Sequence, residues 1–312
     1  PWAGTPHRLM EVVMSDLPKQ DDVTQPDEGI YPIRDVSRLT GVNPVTLRAW
    51  QRRYGLVQPA RTEKGHRLYS EQDIRQIGEI LSWLERGVSI GQVKGLLSEP
   101  QTQLVSDHWQ QTLEQISQAL LGFNQRKVEA QLNELLASYP FELVRSRVLQ
   151  PLVDQLLGLW RERPDGELLQ QVWLGWLHTR FARHLIEQEK GRPVTLASWG
   201  QLGPLDLVWS AYELVSQGYE VQLLGAVEPR QAILLEGRAV TPWLVLLGAG
   251  LGKQELTASW PDGTCLFGEL GSLYDAQWLA TQGWQPTLAD WLAAQSAETP
   301  VQGKRTRGRK AS

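Results

Sequence analysis

Arginines spaced along one face of a short helix offer a grip on nucleic acid, and residues 43–55 carry them. Val45, Arg48 and Arg52 fall at i, i+3 and i+7, while Leu47, Trp50 and Tyr54 share the opposite face. A guanidinium presents parallel N–H donors that suit the O6/N7 edge of guanine or a pair of phosphate oxygens. Asn43 and Thr46 lie at the N-terminal end of this helix, which the pattern leaves exposed and where backbone N–H groups can also meet a phosphate. Arg53 adds charge at the other end. A second basic element follows: Arg61, Lys64, His66 and Arg67 surround the turn Glu63-Lys64-Gly65, placed to track a phosphate backbone.

Other chemistries are poorly supplied. Cys265 is the only cysteine, which excludes an intramolecular disulfide and a thiolate cluster within one chain; it reads as a small hydrophobe on a buried strand. His108, His178 and His184 lack metal-ligand spacing with acids. With no paired catalytic carboxylates and no nucleophile–base pair, neither an enzyme nor a bound metal is expected. Residues 248–253 look like a phosphate loop after a strand. The Gly-x4-Gly-Lys-Ser/Thr spacing fails, however, with Leu247 and Gln254 at the two critical positions, so a glycine-rich turn is the simpler reading. Trp109, Trp160, Trp173 and Trp176 could line a ligand pocket, although large aromatics at helical spacing more often build core.

The balance of charge says where nucleic acid would bind. The formal net charge of −4 conceals an asymmetry. Residues 30–98 hold eleven Lys/Arg against six Asp/Glu, and residues 99–302 hold thirteen against twenty-three. A basic block on an acidic body confines the contact to one end. The final ten residues carry five basic groups and no acid, either extra non-specific DNA affinity or a solvated tail. No apolar run approaches the ~18–20 residues needed to span a bilayer, and no signal-peptide core is present. A cytoplasmic protein without a membrane partner is expected.

The elements that must position these residues can be read from punctuation and period. Residues 1–29 have the composition of a disordered segment, in which Met14-Ser15-Asp16 resembles a natural start. Residues 30–99 form the first domain. In it Ile33, Val36, Leu39 and Val42 share a helix face, Gly41 stops that helix, and Asn43-Pro44 caps and opens the next. Gly55 ends the second helix, residues 56–69 make a hairpin, and Ser70 caps a third helix with Ile74, Ile77, Leu81 and Leu84 inside. Ser89 and Gln92 open a fourth helix as a capping-box pair. Glu99-Pro100 reads as a linker. Residues 100–190 carry four helical stretches, 104–121, 124–137, 140–160 and 167–189, which argue for a small bundle. Residues 191–297 alternate strands at 194–199, 220–224, 243–247 and 264–267 with helices such as 205–216 and 275–281. That rhythm implies a doubly wound parallel sheet. Residues 298–312 form a basic tail without structure.

Residues 33–97 resemble the DNA-binding domain of the MerR family of transcription regulators. The resemblance rests on Gly41-Val42-Asn43-Pro44-Val45-Thr46-Leu47-Arg48-Ala49-Trp50-Gln51-Arg52-Arg53-Tyr54-Gly55-Leu56 and on Gly65-His66-Arg67-Leu68-Tyr69-Ser70. The Arg-Ala-Trp-Gln-Arg-Arg-Tyr-Gly version is most similar to the branch typified by MlrA and CarH. The resemblance implies a winged helix-turn-helix that binds promoter DNA as a homodimer on an inverted repeat. It also implies distortion of an overlong promoter spacer so that RNA polymerase engages both elements. In the CarH-like members a bundle and a flavodoxin-like α/β domain sandwich a cobalamin, and residues 104–296 have that order of elements. The signatures depart, however. About ten residues after Trp160 stand Gln170-Gln171 where the family has Glu-His, and Gly203 stands where the cobalt-ligating histidine belongs. The resemblance therefore implies a degenerate cobalamin-binding-type domain with no cofactor and no imidazole for a metal. Three alternatives stay open for this body: a cobalamin-dependent light sensor, another small ligand in a pocket around Trp160, Gln170, Gln171 and Gly203, or a protein partner as effector.

Overall fold

The computed structural model describes residues 31–98 and 108–297, apart from 236, 254 and 258; of residues 98, 160–162, 296 and 297 it describes the backbone alone. The expected disordered start, the linker, the first residues of the 104–121 helix and the basic tail lie outside the described residues.

Local chemistry builds the first domain. Strand β1 (Tyr31–Pro32) leads into helix α1 (Ile33–Thr40), which stops at Gly41 with φ 69°, a left-handed conformation that glycine adopts without penalty. Asn43 then caps helix α2 (Pro44–Ala49): its side-chain oxygen accepts from the Thr46 N–H at 2.8 Å, and Pro44 sits where no N–H is needed. Helix α2 runs on through a wider π turn, Trp50–Tyr54, to Gly55 at φ 60°. Strands β2 (Ala60–Arg61) and β3 (Arg67–Tyr69) pair antiparallel, and β1 adds on the far side of β3, giving the order β1-β3-β2. Ser70 and Asp73 form a reciprocal capping box that starts helix α3 (Glu71–Glu85); helix α4 (Ile90–Ser98) follows. The inner row of α3 is Ile74, Ile77, Ile80 and Leu84; Leu81 is only partly buried, because Ile80 takes the core position.

Four helical rods make the middle of the molecule: α5 (His108–Leu121), α6 (Gln125–Ser138), α7 and α8 (Gly166–Ile186). Rod α7 consists of Phe141–Val144, a π turn at Arg145–Leu149 and Gln150–Glu162. Pro151 has no N–H to donate, and the widened turn just before it lets the rod continue. Helix α8 ends at Ile186, before the expected 189. The cause is Gln188, whose side-chain amide pairs with both the N–H and the carbonyl of Val221, at 2.8 and 3.1 Å. Trp109 and Trp173 belong to the core rather than to a pocket. Their indole N–H groups donate to the carbonyls of Leu84 (2.9 Å) and Leu120 (3.1 Å).

The third unit is a four-stranded parallel sheet in the order β5-β4-β6-β7, built from β4 (Arg192–Trp199), β5 (Tyr219–Ala226), β6 (Trp243–Leu247) and β7 (Thr264–Phe267). Helices α9 (Asp206–Ser216), α10 (Pro229–Leu234), α11 (Ala276–Thr281) and α12 (Leu288–Ala297) connect and cover it. All five residues of β6 are buried, the mark of a strand sealed on both faces, and separate apolar clusters form on the two sides. The first two units share one continuous core, which reaches the sheet unit through Leu205, Val208 and Trp209 of α9 and the turn before it.

Charge gathers where the bundle meets α9, around one buried carboxyl, that of Glu213. The Arg145 guanidinium lies 3.3 Å from Glu142 and 6.0 Å from the centre of the Trp209 ring, with Glu213 beside them, only 7% exposed. Burial, reinforced by the Glu142 charge and opposed by Arg145, pushes the Glu213 carboxyl up to about 8. A carboxyl raised in this way holds its proton in the fold while the unfolded chain ionises. Stability should therefore fall as pH climbs from the ordinary carboxylate range towards 8. Glu213→Gln should remove that slope, gaining on the order of a few kcal/mol at pH 8 and almost nothing at pH 4. Urea unfolding at the two pH values checks it, and equal slopes in both proteins would refute the assignment.

Candidate nucleic-acid interface

The outer face of α2 presents the residues that the spacing singles out. Val45 is 61% exposed, Arg52 and Arg53 are exposed, and Arg48 is half-buried on the same side. On the wing, Arg61, Lys64 and His66 are exposed around a tight turn in which the Gly65 N–H donates to the Thr62 carbonyl at 2.8 Å. Gly65 has φ 79°, so the tip is shaped by a residue free to take that conformation.

Arg67 differs from its neighbours. Its Nε donates to Gln51 Oε1 at 2.6 Å, tying strand β3 to the back of the recognition helix. Both Arg67 and Arg48 stand close enough to the buried Tyr69 hydroxyl to oppose the upward shift that burial gives it, so helix and wing converge at that tyrosine. Arg67 thus positions the wing through Gln51, a residue that sequence reasoning missed. Nothing in its type or spacing marks it out, since its partner lies sixteen residues away across a hairpin.

Two expectations are corrected. Asn43 and Thr46 are buried, not exposed. Asn43 commits its side-chain oxygen to the cap, and helix α6 packs along the flank of α2 that holds Thr46 and Ala49. The anchor is Trp50, whose indole N–H donates to the Ser138 carbonyl at 2.8 Å, with the Tyr54 hydroxyl 3.2 Å from Ser138 Oγ. Of the expected pocket residues, Gln171 is exposed and donates to Glu167, and Gln170 is half-buried. The Gly203 N–H donates to Asp206 Oδ2 at 2.8 Å; the Trp160 side chain lies outside the described residues. The glycine-rich loop at 248–253 uses its N–H groups internally, on Trp199, Gln201, the Tyr274 hydroxyl and the Glu255 carboxylate. It is a turn. Among the described residues no group of acids, histidines and cysteine could hold a metal ion, and no helix is long and apolar enough to cross a membrane.

A capped recognition helix with outward arginines, bonded to a basic hairpin, defines a winged helix-turn-helix DNA-binding domain. Residues 31–100 match the family described as MerR HTH family regulatory protein. Over 236 residues the chain is 30% identical to the HTH-type transcriptional regulator MlrA of Escherichia coli (strain K12), a match covering 75% of this chain and 95% of that one. The chain belongs to the MerR family and is a DNA-binding transcription regulator. It is also 27% identical over 241 residues to the HTH-type transcriptional repressor CarH of Myxococcus xanthus, covering 68% of this chain and 75% of CarH. With the mercuric resistance operon regulatory protein of Bacillus cereus it shares 33% identity over 67 residues, 22% of this chain and 51% of the other.

Base reading and backbone grip should separate by mutation. Arg48→Ala should cost about 1–3 kcal/mol and relax base preference at one position of the site. Lys64→Ala should weaken all sequences alike and reduce the salt slope by roughly 0.9, the share of one phosphate that the lysine neutralises. Fluorescence anisotropy on matched and mutated sites across a salt series measures both. Unchanged affinity in both variants would remove this surface from the interface.

Proposed function

We propose that the protein acts as a homodimer on an inverted-repeat promoter site and activates transcription by distorting that site for RNA polymerase. The observation that carries the reading is the Arg67–Gln51 bond, because it makes helix and wing one rigid reader. One such reader covers only a single half-site, too little for the affinity typical of specific regulators, so a second copy must supply the other half. Two rigid readers fixed on one face of a duplex impose their own spacing on the DNA, and the energy of deforming it comes from the phosphate contacts of the wings. Sites selected from random DNA should be pseudo-palindromes with half-sites near a whole number of turns apart. A single unrepeated half-site, in selection or in footprinting, would count against the dimer.

The α/β body keeps the order of elements of a cobalamin-binding domain, yet its residues do not fit that cofactor. Gly203 stands where a ligating histidine would be needed. A Cβ built at that position would lie 2.8 Å from the Asp206 carboxylate, which instead caps the Gly203 N–H, so a side chain there would have to displace that bond. In sequence no histidine follows His184. The domain works, in this reading, without a corrinoid and without catalysis, as the part that receives a different small molecule or a protein partner. Calorimetric titration with adenosylcobalamin and methylcobalamin, in darkness and after illumination, should give no saturable heat. Micromolar binding of either would overturn the assignment.

A further inference from the structure

The start of the recognition helix faces the protein's own body. Asn43 and Val45 form one wall of a cleft of about 780 Å³, and the facing walls carry Glu129 and Asn133 of α6, Arg180 of α8 and Tyr212 of α9. Glu129 and Asn133 of α6 and Arg180 of α8 stand where a duplex would have to pass if its major groove, about 12 Å wide and 8.5 Å deep, closed around the start of the helix. The N-terminal residues of a recognition helix are the ones that reach base edges. Here Thr46 is fully buried, and Val45 shares its cleft with an acidic and an amide side chain.

The contact that causes this adds to the shared core and the Trp109–Leu84 bond, and three of its points touch α1 and α2. Trp50 and Tyr54 meet Ser138 at the end of α6. On α1 the Ser37 hydroxyl donates to Gln217 Oε1 at 3.0 Å, and the Gln217 amide donates to the Gly41 carbonyl at 3.4 Å. Helix α12 packs against α1 beside them. The polar side of the contact is incomplete, however. Thr46 Oγ1, Arg180 Nε and Nη1 and His184 Nδ1 are buried without hydrogen-bond partners, although Arg180 Nη2 donates to Asn133 at 2.6 Å and Nε lies 3.3 Å from the Glu129 carboxylate as an ion pair. Buried polar atoms left unpaired weaken the packing that buries them, and they are a reason for this contact to separate.

We infer that this packing is a closed, DNA-excluding state, and that operator binding requires α2 to part from α6 and the cleft to open. The inference rests on the assignment of the Val45–Arg48 face as the reader of DNA. It also accounts for the burial of Asn43 and Thr46, which opening would return to solvent. The cleft has one wall on each moving part, so a molecule seated against both would favour the closed state. By linkage such a molecule must lower operator affinity by the same factor by which DNA lowers its own.

Two measurements on the full chain test closure. On a Cys265→Ala background, nitroxide labels at Glu63→Cys on the wing tip and His178→Cys on α8 report the separation by pulsed electron resonance. Labelled chain is diluted with a large excess of unlabelled chain so that only distances within one copy are read. Saturating operator, selected from random DNA, should shift the distance by at least about 8 Å, one interhelical spacing. An unchanged distribution on bound DNA overturns closure. Independently, Tyr54→Phe combined with Ser37→Ala loosens the contact without touching the outer face of α2. It should raise operator affinity about three- to tenfold by enlarging the open fraction. Unchanged affinity in that variant also overturns closure. If Arg48→Ala leaves operator affinity untouched, the assignment of the reading face has failed instead, which the label distances distinguish.

Discussion

Everything in this molecule turns on how helix α2 is held. It is too short to be stable by itself, since a six-residue helix closes few hydrogen bonds for the entropy it loses. It survives because Asn43 and Pro44 start it, a π turn extends it, and two apolar surfaces claim its sides. Leu47 belongs to the core of the first domain, and Trp50 passes through that core to bond the bundle at Ser138. With those two directions fixed, only the arc of Val45, Arg48 and Arg52 remains for solvent or DNA. The direction of the arginines is thus a by-product of where the apolar side chains must go.

The same division explains what is legible in the chain itself. Caps, glycine stops and the arginine spacing are local properties, and the helices at 33–40 and 71–85, the hairpin and the strands at 243–247 and 264–267 follow from them directly. Thr46 departs from its expected exposure because its burial comes from α6, about ninety residues on, and no helical period within α2 announces a neighbour of that kind. Gln51 goes unmarked for a related reason: a neutral amide on a half-buried face becomes specific only when Arg67 arrives across the wing. Helix α8 stops early because Gln188 is recruited by a strand that lies further along the chain. Long-range partners decide all three.

The sheet unit has its crevice fastened shut. Open parallel sheets bind ligands beyond the carboxyl ends of their strands. Here the loops after β4 and β6 are fastened together: Gln201 and Ala249 exchange backbone hydrogen bonds, and a Cβ on Gly248 would collide with the Gln201 carbonyl at 2.4 Å. On the bundle side, Glu142, Arg145 and Glu213 gather charge at the seam with α9. What the sheet unit offers the first domain is a hold on α1: Gln217, just after α9, bonds Ser37 and Gly41, and α12 packs beside them. A sheet domain can thus serve its own chain as a docking partner.

Gln188 has a consequence beyond ending a helix. Strand β5 is an edge of the sheet, with β4 on one side only, and its backbone groups on the open side would invite pairing with another chain. By presenting both a donor and an acceptor to Val221, the Gln188 side chain imitates one residue of a missing strand and fills that position. An edge with that position already filled is harder to extend by pairing with a strand of another chain. The amide at the foot of the long helix is, in this sense, a guard against aggregation.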